Sequence, residues 1–359
     1  MKSLTIEKIE IKNLDVDLLD PFAISVGTVI QVNNLMVVLT LTDGTIGYGE
    51  IAPFPELMGE NREASLNQFN QIVESLIGLS LKHIREISIL LEEALSKSPA
   101  VKCGLEISML DALSRSLGIP LWSYFGGANP GPLETDITIP ILPKERSLEL
   151  AGKWHSKEFG ILKIKVGSDY QKEVQLISEI NKQNDNLKFI LDANQAFEEH
   201  EALEFLREVM ARGCNVILYE QPLNRSDFQG MARLKKLINI PLAADESVSS
   251  IKDLKDVITY NTADVINLKI MKTGVFNTLK IASTALSMGL ELMIGGMVET
   301  RLAMSCSVAI AMGYCKISYI DLDTPLLMSS DPFLGGYSYC GPDIMPWESP
   351  GLGIEPIFI

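Results

Sequence analysis

From about residue 134 onward, short apolar runs alternate with segments that have the length and periodicity of helices, such as Asp169–Asn184 and His200–Arg212. Strand-like runs that alternate with helices predict parallel strands joined by helical crossovers. Eight such units, spaced about 25 residues apart, are what a closed (β/α) barrel requires. The predicted strands are Ile137–Ile141, Leu162–Val166, Phe189–Leu191, Val216–Tyr219, Leu242–Ala244, Val265–Leu268, Leu292–Ile294 and Ile317–Ile320.

The first third of the chain has a different order, with strands first and helices after them. Residues 3–14 and 34–50 alternate apolar and polar side chains, which predicts a strand and a hairpin. Residues 61–97 and 101–118 have helical periodicity. Strands followed by helices, without alternation, predict an α+β unit.

The predicted fold class is therefore α/β, a (β/α)7β TIM-like barrel with an α+β capping domain. We expect the capping domain over residues 1–125 and the catalytic barrel over 126–330. The C-terminal tail, 331–359, is rich in Gly and Pro, and we expect it to fold back and complete the capping domain.

Composition excludes several classes of protein. A formal net charge of −15 argues against nucleic-acid binding, which needs clustered Lys and Arg. The five cysteines are scattered without a CxxC pair, which predicts reduced thiols instead of disulfides or a zinc site. The apolar runs are too short to cross a bilayer and the start lacks a signal-peptide core, so we expect a cytoplasmic protein without membrane contact.

In the barrel half, the apolar runs end in charged residues. Asp192, Glu220, Asp245 and Lys269 are separated by steps of 28, 25 and 24 residues, about one strand–helix unit each. They should therefore lie on successive strands at the face where such barrels hold their active sites. A single carboxylate there could be a polar cap of a strand end, but three at this spacing predict a site for a hard divalent cation, Mg²⁺ before Ca²⁺ or Mn²⁺.

Lysines flank these carboxylates. Lys163 and Lys165 alternate with apolar residues in one strand, so both should point into the barrel. Lys269 should lie about four units away, across the mouth. We expect like-charge proximity and burial to lower the pKa of these lysines, as a general base near neutral pH requires. Two amines on opposite sides of a substrate could remove a proton from one face and return it to the other.

Several motifs resemble those of the enolase superfamily, in the branch of muconate cycloisomerases, o-succinylbenzoate synthases and dipeptide epimerases. They are Lys163-Ile-Lys165, Asp192-Ala-Asn194, Glu220-Gln-Pro222, Ala244-Asp245-Glu246-Ser247 and Asn267-Leu-Lys269. The resemblance implies that Asp192, Glu220 and Asp245 bind Mg²⁺ and that Lys165 and Lys269 are the two acid/base residues. It also implies that Lys163 supports the substrate carboxylate or the developing enolate.

Asp321-Leu-Asp323, at the end of the eighth predicted strand, resembles the Asp-x-Asp of dipeptide epimerases. Two aspartates on one face suit the α-ammonium of a peptide, which cycloisomerase and succinylbenzoate substrates lack. The alternative is a helix-capping pair before Thr324-Pro325. Thr138 and Met297 match substrate-contacting positions of that family.

The same resemblance implies that a loop at Phe22–Val32 covers the barrel mouth and selects the second side chain of the dipeptide. Members of the family that act on Ala-Glu carry a basic residue there, whereas this stretch has no Lys or Arg. We therefore expect hydrophobic or aromatic second residues. The candidate wall residues are Phe22, Ile24, Gly27, Ile30, Phe54 and Met58.

The hypothesis is a Mg²⁺-dependent isomerase that epimerises the C-terminal residue of an L,L-dipeptide by two-base 1,1-proton transfer. One alternative is an N-acylamino-acid racemase or o-succinylbenzoate synthase of the same superfamily. A second is a metal-dependent peptide-binding module without catalysis. By analogy with this branch, we expect a small-molecule substrate and a homo-oligomer.

Overall fold

The computed structural model describes residues 4–357. It has an N-terminal antiparallel sheet with helices, a parallel barrel, and small sheets formed by the C-terminal tail. The strands are β1 (Ile6–Ile24), β2 (Gly27–Leu41), β3 (Ile46–Ile51), β4 (Leu133–Glu134), β5 (Ile137–Ile139), β6 (Ile161–Lys165), β7 (Lys188–Asp192), β8 (Asn215–Glu220), β9 (Leu242–Ala244), β10 (Val265–Leu268), β11 (Glu291–Ile294), β12 (Tyr319–Ile320), β13 (Phe333–Gly335), β14 (Ser338–Cys340), β15 (Asp343–Met345) and β16 (Ile354–Pro356). The α-helices are α1 (Pro55–Met58), α2 (Arg62–Leu76), α3 (Ile84–Ala94), α4 (Pro99–Leu117), α5 (Leu121–Tyr124), α6 (Lys144–His155), α7 (Tyr170–Gln183), α8 (Glu199–Ala211), α9 (Phe228–Leu237), α10 (Ile251–Tyr260), α11 (Ile270–Thr273), α12 (Val275–Ser287) and α13 (Arg301–Gly313).

The N-terminal sheet has the order β1-β2-β3 and packs on helix α4. Two glycines of β3 allow this close approach. A Cβ on Gly47 would lie 2.2 Å from the carbonyl oxygen of Ser108, and one on Gly49 would lie 2.0 Å from that of Gly104. Only glycine can bring the strand backbone this near to the helix.

The barrel strands follow one another in the order β5 to β12, all parallel. The two end strands meet where the Asp136 N–H donates to the Ile320 carbonyl over 2.9 Å, which closes the sheet. Each of the eight sequence-predicted runs contains or overlaps one of these strands, so the barrel prediction is confirmed. Lys165 pairs with Asp192, and Asp192 with Glu220, so the charged strand ends lie at one level.

The tail folds back as expected. Strand β13 pairs with β16, and β14, β15 and β4 form a second small sheet. The Leu352 N–H donates to the buried Asp111 carboxylate of α4 over 2.7 Å, which ties the tail to the first unit. The domain boundaries at 125 and 330 themselves stay predictions.

Three sequence-based expectations are wrong in detail. The single helix predicted over 61–97 is split into α2 and α3, because Gly78 adopts a left-handed conformation with φ of 83° between them. The stretch 22–32 is not a loop but the end of the β1–β2 hairpin, with Ser25 and Val26 as its turn. Strand β1 is also longer than predicted, and residue 3 lies outside the described residues.

Two further features of residues 4–357 concern the cysteines and the helices. All five cysteines are free thiols. Across that part of the chain, every helix is too short or too polar to traverse a bilayer.

Candidate active site

An open cavity lies at the C-terminal ends of the barrel strands. Its lining combines barrel residues with residues of the hairpin and of the segment that follows β3. The lining residues are Phe22, Ile24, Phe54, Leu57, Thr138, Lys163, Lys165, Asn194, Lys269, Gly296, Met297, Val298, Asp321, Asp323 and Thr324. The cavity therefore brings together the predicted acid/base lysines and the predicted substrate-binding residues.

The tip of the β1–β2 hairpin is fixed over this cavity by contacts with barrel loops. The Ser25 hydroxyl lies 3.1 Å from the carbonyl oxygens of both Ala193 and Asn194. The Ile141 N–H donates to the Ala23 carbonyl over 2.9 Å. The hairpin is consequently anchored to the loops after β5 and β7, and the N-terminal unit closes the barrel mouth.

Not every predicted wall residue faces the cavity. Ile30 is 72% exposed and lines a separate outer groove. A Cβ on Gly27 would meet the side chain of Glu56 at 2.7 Å instead of entering the site. Met58 is half-buried and lines an adjoining polar cavity. Gly27 and Ile30 therefore do not line this cavity, because the hairpin carries them away from the mouth. Their role in the choice of the second side chain stays a prediction.

The two predicted acid/base lysines lie on opposite sides of the barrel. Lys165 ends β6 and Lys269 follows β10. Three strands separate β6 from β10 in either direction around the eight-stranded barrel. Both side chains are buried and line the same cavity, so a substrate held there would have one amine on each side.

The three predicted metal-binding carboxylates are fully buried beneath this cavity and contact the lysines. Asp192 Oδ2 is 2.6 Å from Lys165 Nζ, and Glu220 Oε2 is 2.8 Å from Lys163 Nζ. Asp245 Oδ2 is 2.8 Å from Lys269 Nζ. Each carboxylate thus has a lysine as its neighbour. The three acids, at the ends of β7, β8 and β9, lie between the lysines of β6 on one side and Lys269, after β10, on the other.

Burial and charge pull the pKa values of these groups in opposite directions. Burial raises the pKa of Glu220 to about 7, and repulsion from Asp192 adds to this effect. Burial alone would also raise the pKa of Asp192, but attraction to Lys165 and Lys163 outweighs it and the value falls to about 2.

The expectation that the lysine pKa values are lowered is wrong for two of them. Burial alone would lower the pKa of Lys163, but attraction to Asp321 and Glu220 outweighs it and the pKa is raised. The pKa of Lys269 is likewise raised, because the attraction of Asp245 exceeds the cost of burial. The sequence places the three lysines around the barrel mouth but does not show how closely carboxylates surround each of them.

The donor chemistry of Asp192, Glu220 and Asp245 fits a hard divalent cation. All three offer only carboxylate oxygens, which Mg²⁺ prefers. Glu220 Oε2, although close to Lys163, lacks a well-directed hydrogen bond among residues 4–357. The most compact carboxylate group is a different one, Asp136 with Asp321 and Asp323, whose oxygens lie within 4.8 Å of one another. Lysine ammonium groups contact both sets. The choice of the first set therefore depends on its motifs, and the assignment of the metal ligands stays a prediction.

Asp321 and Asp323 end the eighth strand and face the cavity, but neither caps the helix that follows. Asp323 Oδ2 accepts from the Thr138 N–H over 2.5 Å, and Asp321 Oδ2 accepts from Lys163 over 2.6 Å. The short 3₁₀ helix that begins at Thr324 receives no side-chain hydrogen bond from Asp323. The capping alternative is therefore excluded for Asp323.

Sequence reasoning missed several buried polar residues around the site. Lys272 Nζ lies 2.5 Å from Asp245 Oδ1, and Asn194 links Lys165 to Glu246. Lys272 follows Lys269 by three residues, and Glu246 follows Asp245 directly. Their proximity in sequence to predicted site residues was the available signal. Sequence reasoning also missed Asp136, which precedes the predicted site residue Thr138 by two residues.

A buried glutamate of the N-terminal unit holds the loop that carries Met297. Glu50 accepts hydrogen bonds from the Thr300 N–H (3.0 Å), the Thr300 hydroxyl (2.7 Å) and the Ala303 N–H (2.9 Å) at the start of α13. Asn34 donates both to Glu50 (2.6 Å) and to the Val298 carbonyl (2.9 Å). The capping unit thereby fixes one wall of the cavity.

Replacing Glu50 with alanine is expected to lower the free energy of unfolding by about 3 kcal/mol, because several buried donors lose their acceptor. Urea unfolding followed by near-ultraviolet circular dichroism measures the change. Glu74→Ala, at an exposed position of α2, is the matched control and should change stability by less than about 0.5 kcal/mol. Equal stability of the two variants would contradict the role of Glu50.

Known families match both parts of the chain. Residues 8–126 match the mandelate racemase / muconate lactonizing enzyme N-terminal domain, and residues 146–357 match the family described as enolase C-terminal domain-like. The second match alone covers more than half of the chain. The chain belongs to the mandelate racemase / muconate lactonizing enzyme family. The resemblance to the enolase superfamily is confirmed, as is the barrel with its capping unit.

Relatives within this family are epimerases, which are isomerases that act on amino acid derivatives. An L-Ala-D/L-amino acid epimerase of Populus trichocarpa is 38% identical over 350 residues, which is 94% of this chain and 82% of that protein. An aromatic dipeptide epimerase of Herpetosiphon aurantiacus is 36% identical over 98% of this chain and 99% of its own.

A solved structure with bound ligands also resembles the chain. It is the dipeptide epimerase of Enterococcus faecalis complexed with Mg and the dipeptide L-Leu-L-Tyr. The two structures agree with a TM-score of 0.93 at 28% identity, over 98% of this chain and 99% of that one. A family member of the same architecture therefore holds a metal and a hydrophobic dipeptide.

Proposed function

We propose that the protein is a Mg²⁺-dependent dipeptide epimerase that inverts the α-carbon of the C-terminal residue of an L,L-dipeptide. The observation that carries the proposal is the pair of lysines, Lys165 and Lys269, on opposite sides of one cavity. The names of the relatives support it, because they include epimerases of aromatic and hydrophobic dipeptides.

In this proposal each lysine carries out one of two proton transfers. A divalent cation bound to Asp192, Glu220 and Asp245 would offset the attraction that raises the pKa of Lys269. The neutral amine of one lysine would then take the α-proton from one face of the substrate, and the ammonium of the other would give a proton to the opposite face. The carbon is inverted, and one proton is lost and one gained. Because the two lysines differ in protonation state after each turnover, proton exchange with solvent restores them.

Asp192, Glu220 and Asp245 would hold the metal. When bound, Mg²⁺ supplies Lewis-acid stabilisation of the negative charge that develops on the substrate carboxylate. Lys163, fully buried between these acids and Asp321, adds a fixed positive charge beside the same group.

Asp321 and Asp323 would bind the α-ammonium of the dipeptide. Each accepts a hydrogen bond from a protein donor through Oδ2, and a carboxylate can accept further hydrogen bonds from the substrate. A substrate without an ammonium, such as an N-acylamino acid, would leave these acids unpaired. The arrangement therefore favours dipeptide epimerisation over N-acylamino-acid racemisation or o-succinylbenzoate synthesis.

The direct test is proton exchange in deuterium oxide with a mixture of L,L-dipeptides. A dipeptide epimerase incorporates deuterium at the C-terminal α-carbon and yields the L,D product. A racemase labels N-acylamino acids instead, and a binding module labels nothing. Asp323→Asn keeps an acceptor for the Thr138 N–H but removes the charge, so it should impair dipeptide turnover and spare N-acyl substrates.

The cavity wall supports a preference for hydrophobic or aromatic second residues. Phe22, Ile24, Phe54, Leu57 and Met297 line the mouth, and the hairpin places no cation there. A bulky apolar side chain of the substrate would be removed from water by this wall, whereas a glutamate side chain would find no partner.

Replacing Ile24 with arginine should shift the preference from L-Ala-L-Phe towards L-Ala-L-Glu by at least about tenfold in the ratio of kcat/KM values, since a buried guanidinium needs a carboxylate partner. Ile24 is 6% exposed and lines the cavity. Steady-state kinetics with both dipeptides measures the ratio. Ile24→Met, which keeps the site apolar, is the control; an unchanged ratio in the arginine variant argues against the specificity proposal.

The cytoplasmic location and the homo-oligomer stay predictions. Size-exclusion chromatography with light scattering tests the oligomeric state.

A further inference from the structure

A third aspartate lies behind the proposed ammonium site. Asp136 directly precedes β5, at the seam where β5 meets β12. Its side chain is 1% exposed. Neither of its carboxylate oxygens has a hydrogen-bond donor among residues 4–357. Buried carboxylates are almost always hydrogen-bonded, so a residue of this kind needs a physical explanation.

The neighbours of Asp136 make an ionised carboxylate unfavourable. Its oxygens lie within 4.8 Å of those of Asp321 and Asp323. The cation that acts on the cluster is Lys163, whose ammonium is already shared by Asp321 (2.6 Å), Glu220 (2.8 Å) and Asp192 (3.1 Å). If all three aspartates were ionised, their carboxylates would have to share one ammonium with Glu220 and Asp192, and their mutual repulsion would not be compensated.

A proton on one of the three acids removes most of this repulsion, as in other sites where carboxylates crowd together. Asp321 accepts a hydrogen bond from Lys163. Asp323 accepts one from the Thr138 N–H, which favours its charged form, but burial outweighs this contact and raises the pKa of Asp323 to about 7. In the described part of the chain, Asp136 has no such contact. Burial, followed by repulsion from Asp321 and Asp323, raises the pKa of Asp136 well above its usual range.

A neutral carboxylic acid is a hydrogen-bond donor, and Asp321 is within reach as the acceptor. We propose that Asp136 is a positioning residue that stays protonated and donates a hydrogen bond to Asp321. This bond holds Asp321 in place between Lys163 and the ammonium of the bound dipeptide. The inference rests on the proposed function, because the ammonium site belongs to it.

The test compares Asp136→Asn with Asp136→Leu, using L-Ala-L-Phe. Asparagine is neutral and keeps an N–H donor for Asp321, whereas leucine has a similar size and no donor. We expect Asp136→Asn to stay within about threefold of the wild-type KM and kcat. Asp136→Leu should raise KM at least about tenfold with little change in kcat, because the site loses the orientation of Asp321 and not its acid/base lysines.

Two results would overturn the inference. An increase in KM that is as large in Asp136→Asn as in Asp136→Leu would show that the position needs a negative charge. An unchanged KM in both variants would show that Asp136 does not act on the ammonium site. A general structural role would lower stability and kcat in both variants, which thermal unfolding and the separate kinetic constants reveal.

The pH dependence of KM gives a second measurement that does not need the leucine variant to fold. The charged groups that face Asp136 are Asp321, Asp323 and Lys163. If Asp136 stays neutral, wild type and Asp136→Asn should have the same KM profile from about pH 6 to about pH 8. A step that is present in wild type and absent in Asp136→Asn would contradict the inference. Failure of the wild type to epimerise any dipeptide would instead reject the proposed function.

Discussion

Alanine in place of either Lys165 or Lys269 is expected to lower epimerisation of L-Ala-L-Phe by at least about a thousandfold, since each variant loses one of the two proton-transfer groups. The two side chains lie on strands that face one another across the barrel, so neither lysine can replace the other. Chiral chromatography of the reaction products measures the L,D dipeptide that is formed.

Each single variant should keep one half of the reaction. With one amine left, α-proton exchange with deuterium oxide is expected to survive for only one of the two diastereomers, L,L or L,D, and the surviving diastereomer should differ between the two variants. Lys188→Ala, at the exposed opposite end of β7, is the control and should behave as wild type. Full epimerase activity in both lysine variants would reject the two-base scheme.

The barrel was predictable from the sequence because its strands are short and buried on both faces, and because charged residues mark the ends of several of them. Parallel strands whose carboxyl ends lie at one level convert a spacing of about 25 residues into neighbouring positions. Spacing alone therefore assigns Asp192, Glu220 and Asp245 to one face of the barrel. Alternation along a strand assigns Lys163 and Lys165 to the same side of β6.

The parts that were not predicted depend on contacts between distant segments. Glu50 bonds to Thr300 and Ala303 about 250 residues later, and no local pattern indicates this pairing. The hairpin tip was predicted as a loop from the family resemblance, which does not show that the pairing of β1 and β2 continues to Ile24 and Gly27. The raised pKa values of Lys163 and Lys269 depend on the number of carboxylates around each amine, which sequence spacing does not give.

Asp136 illustrates the same limit. It precedes Thr138 by two residues and so lies on the same side of the strand, but its importance appears only when the barrel closes. Closure brings the first barrel strand beside the last and places Asp136 next to Asp321 and Asp323, nearly 190 residues away in sequence. The Asp-x-Asp motif identifies Asp321 and Asp323 from the sequence, but it does not identify Asp136.

Glutamine in place of Glu220 is expected to weaken Mg²⁺ binding at least about a hundredfold, because a charged ligand of the metal becomes a neutral one and its amide would face the Lys163 ammonium. Isothermal titration of Mg²⁺ into chelator-treated protein, without substrate, measures the affinity independently of catalysis. Chelation of the wild type should also abolish epimerisation, and added Mg²⁺ should restore it.

A matched control for this prediction lies in the same mouth. Glu299 is as deeply buried as Glu220, and burial raises its pKa to about 8, so its carboxyl is mostly neutral at pH 7. Glu299→Gln therefore removes little charge and should leave the affinity for Mg²⁺ unchanged. The contrast separates loss of a ligand from disturbance of a buried carboxyl in general. Wild-type affinity in Glu220→Gln, or equal losses in both variants, would mean that the metal is not held by Asp192, Glu220 and Asp245.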